Sequence, residues 1–165
     1  MLNGDKDVAG SLTSGGTESV LMAVKTYRDR ALHSRPHLKN PNIIASQTVH
    51  PAFEKAAHYF GLEIIHVKTT DDLRMDVREV ERVINSNTIL IVGSAPQYCH
   101  GVIDPITKLA KIAEERGMYL WSIVRSIFFR YILICYKTYV YVCHYYIRHR
   151  NACGRVLWWV HAPMA

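Results

Sequence analysis

Acid is missing from the last 44 residues of this chain. Residues 122–165 carry six Lys+Arg and no Asp or Glu, whereas residues 1–121 carry 14 of each. The net charge of +6 therefore belongs to the tail alone. A basic surface that binds nucleic acid needs its charge spread over a folded face, so this distribution argues against a nucleic-acid partner. Cysteine is scarce in the same lopsided way: Cys99 stands alone in the body, and Cys135, Cys143 and Cys153 lie in the tail. The body has no disulfide framework, which suits a reducing compartment. Long apolar runs are missing too. The longest uncharged stretch within 122–150 is the ten-residue TYVYVCHYYI, well short of the ~20 residues of a membrane helix. The opening MLNGDKDVAG is polar and predicts no signal peptide.

A length of 165 residues fits one domain or a piece of a larger one, and 49% hydrophobic with 21% charged residues is ordinary for a soluble globular protein. The spacing predicts a helix over 17–31, with Val20, Leu21, Val24 and Tyr27 on one stripe. A polar loop, 33–42, leads to a short strand at 43–46. Pro51 suits a first helical turn, Phe53, Ala56, Ala57 and Phe60 share a face, and Gly61 ends that helix. Strands are predicted at 62–68, 88–95 and from 118, and helices at 75–85, with Val77, Val80 and Ile84 inward, and from Asp104-Pro105 to Gly117. The apolar run at 88–95 is what a strand covered on both faces requires. Such alternation predicts an α/β fold, a parallel-rich sheet with helices packed on both faces. Ligands of these sheets sit at the carboxyl edge of the strands.

After Trp121 the composition changes. Residues 122–165 hold six of the ten Tyr, three of the four Cys, two of the three Trp, one Gly and one Pro. The expected division is therefore a body at 1–121 and an aberrant aromatic, basic tail at 122–165, arising from a frame change or retained intron near the codon after Trp121. Its β-branched and aromatic runs predict disorder or aggregation. Cys135, Cys143, His144, His149 and Cys153 match no structural zinc spacing, so no metal is expected.

Three segments could carry chemistry. In Thr13-Ser14-Gly15-Gly16-Thr17-Glu18-Ser19 two glycines precede a helix. Bare backbone at a helix start offers unpaired N–H donors and a partial positive charge, a phosphate site. The same residues also suit a plain turn in which Thr17 caps the helix. The Walker arrangement is excluded because no Lys follows the glycines. His50, before Pro51, falls where a strand yields to a helix and could stack on a flat ring or move protons; a loop histidine without a role is the other reading. Gly93-Ser94-Ala95-Pro96 and His100-Gly101 bring a hydroxyl and an imidazole to the end of a buried strand. Cys99 lacks a spaced basic partner, so it is not read as a nucleophile, and His58, inside a helix, is read as structural.

The stretches GSLTSGGTESVLMAVKTYRDRA, HPAFEKAAHYFG and VGSAPQYCHGVIDPI occur together in one known group. From about residue 1 to Trp121 the chain resembles the sphingosine-1-phosphate lyases of the pyridoxal-phosphate-dependent group II decarboxylase family. The resemblance implies part of the large domain of fold type I, pyridoxal 5'-phosphate as cofactor, and cofactor-binding roles for Ser14, Gly15, Gly16, Thr17, His50 and Ser94. Gly16 and Thr17 would hold the phosphate and His50 would lie against the pyridine ring. Pro96 and His100 would line the substrate side. It further implies cleavage of a phosphorylated sphingoid base to a fatty aldehyde and phosphoethanolamine, a homodimer, and a catalytic domain on the cytosolic side of the endoplasmic reticulum membrane; without the family's anchor, this chain is expected in the cytosol. Two features depart from the family. No Asp follows Asp104 to pair with the pyridine nitrogen, and Lys137, in CYKTYVY, lacks the context of the Schiff-base lysine. The chain alone is therefore expected to be inactive. Another group II amino-acid decarboxylase fragment, or a non-catalytic partner-binding product, is the alternative.

Overall fold

The computed structural model describes residues 9–124, 139–143 and 156–160, with side chains for 13–118. Its elements in order are β1 (Ala9–Thr13), α1 (Gly16–Ser34), β2 (Asn42–Ser46), α2 (Ala52–Phe60), β3 (Glu63–Val67), α3 (Val77–Val83), β4 (Thr88–Ala95), α4 (Ile106–Glu115), β5 (Tyr119–Val124), β6 (Tyr139–Cys143) and β7 (Val156–Val160). All seven strands form one sheet in the order β1-β7-β6-β5-β4-β2-β3. β3, β2, β4, β5 and β6 are parallel neighbours, and β7 runs antiparallel to both β6 and β1. β1 therefore points the same way as the parallel set, and its carboxyl end shares their edge.

Packing on both faces explains the apolar strands. β2 is buried at every position and so is β4. Ile43 and Ala45 of β2 join α1 and α2 in one cluster, with Val20, Val24, Tyr27, Phe53 and Ala56. Ile44, between them, joins the other cluster with Val80 of α3 and Leu109 and Ile112 of α4. Successive side chains of a strand point to opposite faces, so one short strand serves two cores. Of the predicted α1 stripe, Val20, Val24 and Tyr27 are buried and Leu21 packs partly against the same cluster. Gly61 closes α2 at φ 63° and ψ 40°, the left-handed conformation that suits glycine.

Three differences from the sequence reading have physical causes. Four strands are legible by pattern, but among the described residues the sheet has seven. β1, AGSLT, is short, small and glycine-containing, so it has little strand signal of its own. β6 and β7, YVYVC and VLWWV, fall inside the tail and pair with β5 and β1 through the backbone. The second difference lies at α4, which begins on Pro105 without a side-chain cap; Asp104 turns its carboxylate inward instead. Third, α3 ends at Val83 and fully buries only Val80, while Val77 and Ile84 are partly covered. Lys137, Cys135, His144, His149 and Cys153 lie outside the described residues, and Cys143 is described in its backbone alone.

Candidate functional site

β1 ends at Thr13, and the chain turns through Ser14 and Gly15 into α1. Thr13 is tied down locally: its Oγ1 lies 2.6 Å from Ser19 Oγ and donates to Gly15 O at 3.1 Å. Ser19 N donates back to Gly15 O at 3.1 Å. These bonds fix the turn while Gly15 serves as N-cap with no side-chain cap. Thr17 therefore does not cap the helix; it is exposed in the first turn. Among the described residues nothing lies within 4 Å of where a Cβ on Gly15 would sit. The N–H groups of the first turn precede the first intrahelical bond, so they need partners from elsewhere. Glu18 reaches back past the N-cap to Ser14 instead. Its Oε2 accepts from Ser14 N at 2.6 Å and from the Ser14 hydroxyl. Those bonds, the hydroxyl first and the backbone N–H second, hold the Glu18 carboxyl below its ordinary range.

Two further loops leave the same edge from adjacent strands. His50 follows β2 and is exposed; its Nδ1 accepts from Ala52 N at 3.1 Å, which orients the ring at the start of α2. The ring meets Tyr98 edge to face, centroids 5.1 Å apart at 66°. Cys99 Sγ donates to Thr48 O at 3.9 Å, a second link between these loops. A hydrogen bond with Cys99 raises the Tyr98 hydroxyl above the usual tyrosine range. Ser94, buried at the end of β4, donates its N–H to Asp104 Oδ2 at 2.7 Å. Pro96 follows a cis peptide bond from Ala95. His100 is exposed, with Nδ1 at 3.4 Å from Gln97 Oε1.

The structure thus gathers the expected residues into two groups along one edge. Ser14, Gly15, Gly16 and Thr17 form the turn after β1; His50, Ser94, Pro96 and His100 belong to the loops after β2 and β4. Sequence reading missed Tyr98, Thr48, Gln97 and the inward role of Asp104. Polar loop residues of this kind have no periodic signal. Among the described residues no group of His, Cys, Asp and Glu could hold a metal ion, and no helix is long and apolar enough to cross a membrane.

Comparison with known proteins places this edge in context. The profile of the family described as aminotransferase class-V matches residues 2–122. Sphingosine-1-phosphate lyase 1 of Rattus norvegicus is 51% identical over 115 residues, 70% of this chain and 20% of that protein. Sphingosine-1-phosphate lyase of Dictyostelium discoideum is 43% identical over 116 residues, 70% of this chain and 21% of that protein. The chain thus spans about a fifth of the length of these relatives. The structure of Burkholderia pseudomallei sphingosine-1-phosphate lyase superposes with a TM-score of 0.81 at 26% identity, covering 94% of this chain and 39% of that one. Rhodiola rosea 4-hydroxyphenylacetaldehyde synthase, at 18% identity and a TM-score of 0.84 over 98% of this chain and 40% of that one, shares the fold. The sheet and its helices are accordingly part of a pyridoxal-phosphate fold type I large domain, and the chain belongs to the aminotransferase class-V family, whose enzymes depend on pyridoxal phosphate.

Proposed function

We propose that this chain carries the phosphate grip and ring-facing loops of a pyridoxal-phosphate-dependent carbon–carbon lyase acting on a phosphorylated sphingoid base. The observation behind this reading is the turn at 14–16, tied from behind by Thr13 and Ser19 and open at Gly15, on the edge that also bears His50. The residues suit the cofactor's parts. The first-turn N–H groups of α1, with the Thr17 hydroxyl, supply donors to a phosphate, and the Ser14 hydroxyl joins them when it turns from Glu18. His50, oriented by Ala52 N and backed by Tyr98, offers a flat ring to a pyridine face. When bound, the cofactor supplies the electron sink for breaking a bond beside the amine-bearing carbon. The chain's own part is to hold, orient and hydrogen-bond. Asp is absent after Asp104, so none of the residues beyond it offers that side chain to the ring nitrogen. Covalent capture is not assigned to Lys137.

Equilibrium binding of pyridoxal phosphate and of pyridoxal, followed by absorbance and fluorescence, tests the grip. The phosphate ester should bind more tightly, and a Ser14→Ala/Thr17→Ala chain should lose at least about ten-fold of that preference, since even one hydrogen bond to a charged group is worth about 1.5–3 kcal/mol and about 1.4 kcal/mol is ten-fold. Equal binding of the two compounds would refute the grip. Similarity to a probable L-tyrosine/L-aspartate decarboxylase of Methanosarcina mazei, 38% identical over 114 residues, keeps amino-acid decarboxylation, a carboxy-lyase reaction, as the second reading. Product analysis of the protein that carries this segment separates them: a fatty aldehyde supports the first and carbon dioxide the second.

The same reading includes a homodimer and a place on the cytosolic side of the endoplasmic reticulum membrane for the family's catalytic domain. It also includes the boundary near Trp121, with the tail as the product of a frame change. The family match ending at residue 122 supports that boundary. Sequencing the transcript across the junction checks it; a spliced message continuing in this frame in several tissues would remove the frame-change reading.

A further inference from the structure

Asp104 and Gln97 are each 2% exposed, although both belong to the loop between β4 and α4. Their hydrogen bonds explain why. Asp104 Oδ1 accepts from Met75 N at 2.9 Å and from Gln97 Nε2 at 2.8 Å; Oδ2 accepts from Ser94 N at 2.7 Å. Asp104 N donates to Ser94 O at 2.9 Å. One carboxylate thus ties the end of β4, the segment before α3 and the loop itself. Gln97 Nε2 also donates to Leu73 O at 3.0 Å. The backbone repeats the restraint, with Gln97 N on Val102 O at 2.9 Å and Gly101 N on Gln97 O at 3.1 Å.

These contacts decide which way the Gln97 amide faces. Turning it over would set its oxygen against a carboxylate oxygen and a backbone carbonyl, three acceptors together in a buried space, which is costly. The amino group must therefore face Asp104 and Leu73, and Oε1 must face His100. The ring nitrogen at 3.4 Å from Oε1 is Nδ1. An amide oxygen only accepts, so a hydrogen bond at this contact requires Nδ1 to donate. In a neutral imidazole the other nitrogen then bears no proton, because the hydrogen bond made by one ring nitrogen sets the tautomer.

We propose that Gln97, locked by Asp104, is a positioning residue that holds neutral His100 with its proton on Nδ1 and leaves Nε2 as the acceptor for a ligand group bearing a hydroxyl or ammonium donor. The consequence for a ligand rests on the cofactor-site reading above; the tautomer itself does not. Among residues 96–102, Tyr98 and Cys99 are the other titratable groups, and they face the His50 and Thr48 side.

Long-range proton–nitrogen NMR of the full 165-residue chain, labelled at histidine and recorded at alkaline pH, reads the tautomer directly. Signals of His100 are assigned by their loss in His100→Gln. The expected spectrum shows a protonated-type Nδ1 and an unprotonated-type Nε2 at His100. Replacing Gln97 by Leu should shift this ring toward the Nε2–H form and leave the other histidines unchanged. A wild-type ring already in the Nε2–H form overturns the proposal, and so does a Gln97→Leu spectrum identical to wild type. The wild-type measurement stands even where the variant fails to fold. Pyridoxal phosphate binding that fails while the Nδ1–H form is found refutes the cofactor reading alone; the reverse result refutes the positioning role alone.

Discussion

Glu18 holds both the backbone N–H and the hydroxyl of Ser14, and those two donors depress its carboxyl pKa. A carboxyl whose folded pKa lies below its unfolded one contributes stability above the unfolded value, near ~4.3 for Glu, and loses it as pH falls through the folded value. The start of α1 should therefore loosen only in acid, below the ordinary glutamate range. In Ser14→Ala the hydroxyl is gone and the backbone donor remains. The Glu18 midpoint, followed by carbon-detected NMR titration, should rise toward the ordinary value without reaching it; an unmoved midpoint would contradict the assignment. Phe53 is a residue of another kind, with none of its surface exposed in the cluster between α1, α2 and the sheet. Phe53→Ala should cost about 3–5 kcal/mol in denaturant unfolding, because the cavity adds to the lost transfer energy.

At the scale of elements, α4 lies so close to β4 that a side chain at position 93 would have to displace its neighbours. A Cβ there would come within 2.7 Å of Ile106 Cδ1 and 3.2 Å of Leu109 Cδ1. Gly93→Ala should destabilise by about 1–3 kcal/mol through overpacking. Because the nearer atom is the tip of Ile106, Ile106→Val should restore part of that loss in the double variant, a coupling measurable by a double-mutant cycle. This close approach was not legible in TILIVGSA, where glycine reads only as a weak point in a strand. The helices themselves were legible, since α1 and α2 repeat apolar residues at helical spacing and Gly61 closes the second. Asp104 reads as a cap before Pro105 and proves to be the anchor of Ser94, Met75 and Gln97. Nothing local distinguishes those two roles, because the partners of the anchor come from residues up to 29 positions away.

For the molecule as a whole, the ordering of the sheet matters most. β1 pairs with β7, from Ala9↔Val160 to Thr13↔Val156, and β7 with β6, so the strand leading to the turn at 14–16 is held by backbone bonds to the tail. Hydrogen exchange tests this arrangement. Amides of Ala9–Thr13 that bond to β7 should be protected in the 165-residue chain, and shortening it after Val124 should abolish that protection while the β2–β4 ladder keeps its own. Protection of Ala9–Thr13 that survives the deletion would show that the tail is not their partner. The aromatic and β-branched runs that suggest aggregation are the same ones that form β6 and β7. Strand propensity describes a pleated surface and does not specify which edge it will meet.

Local pattern by itself determined the alternation of helix and strand, the two-sided burial of β2 and β4, and the glycine turn before α1, because each depends on residues a few positions apart. Tertiary structure decided what those pieces meet. It set Tyr98 against His50, turned Asp104 away from its helix, oriented the Gln97 amide and brought β1 beside β7. Those outcomes rest on partners far apart in the chain, and a hydrogen bond between such partners leaves no periodic trace in the sequence.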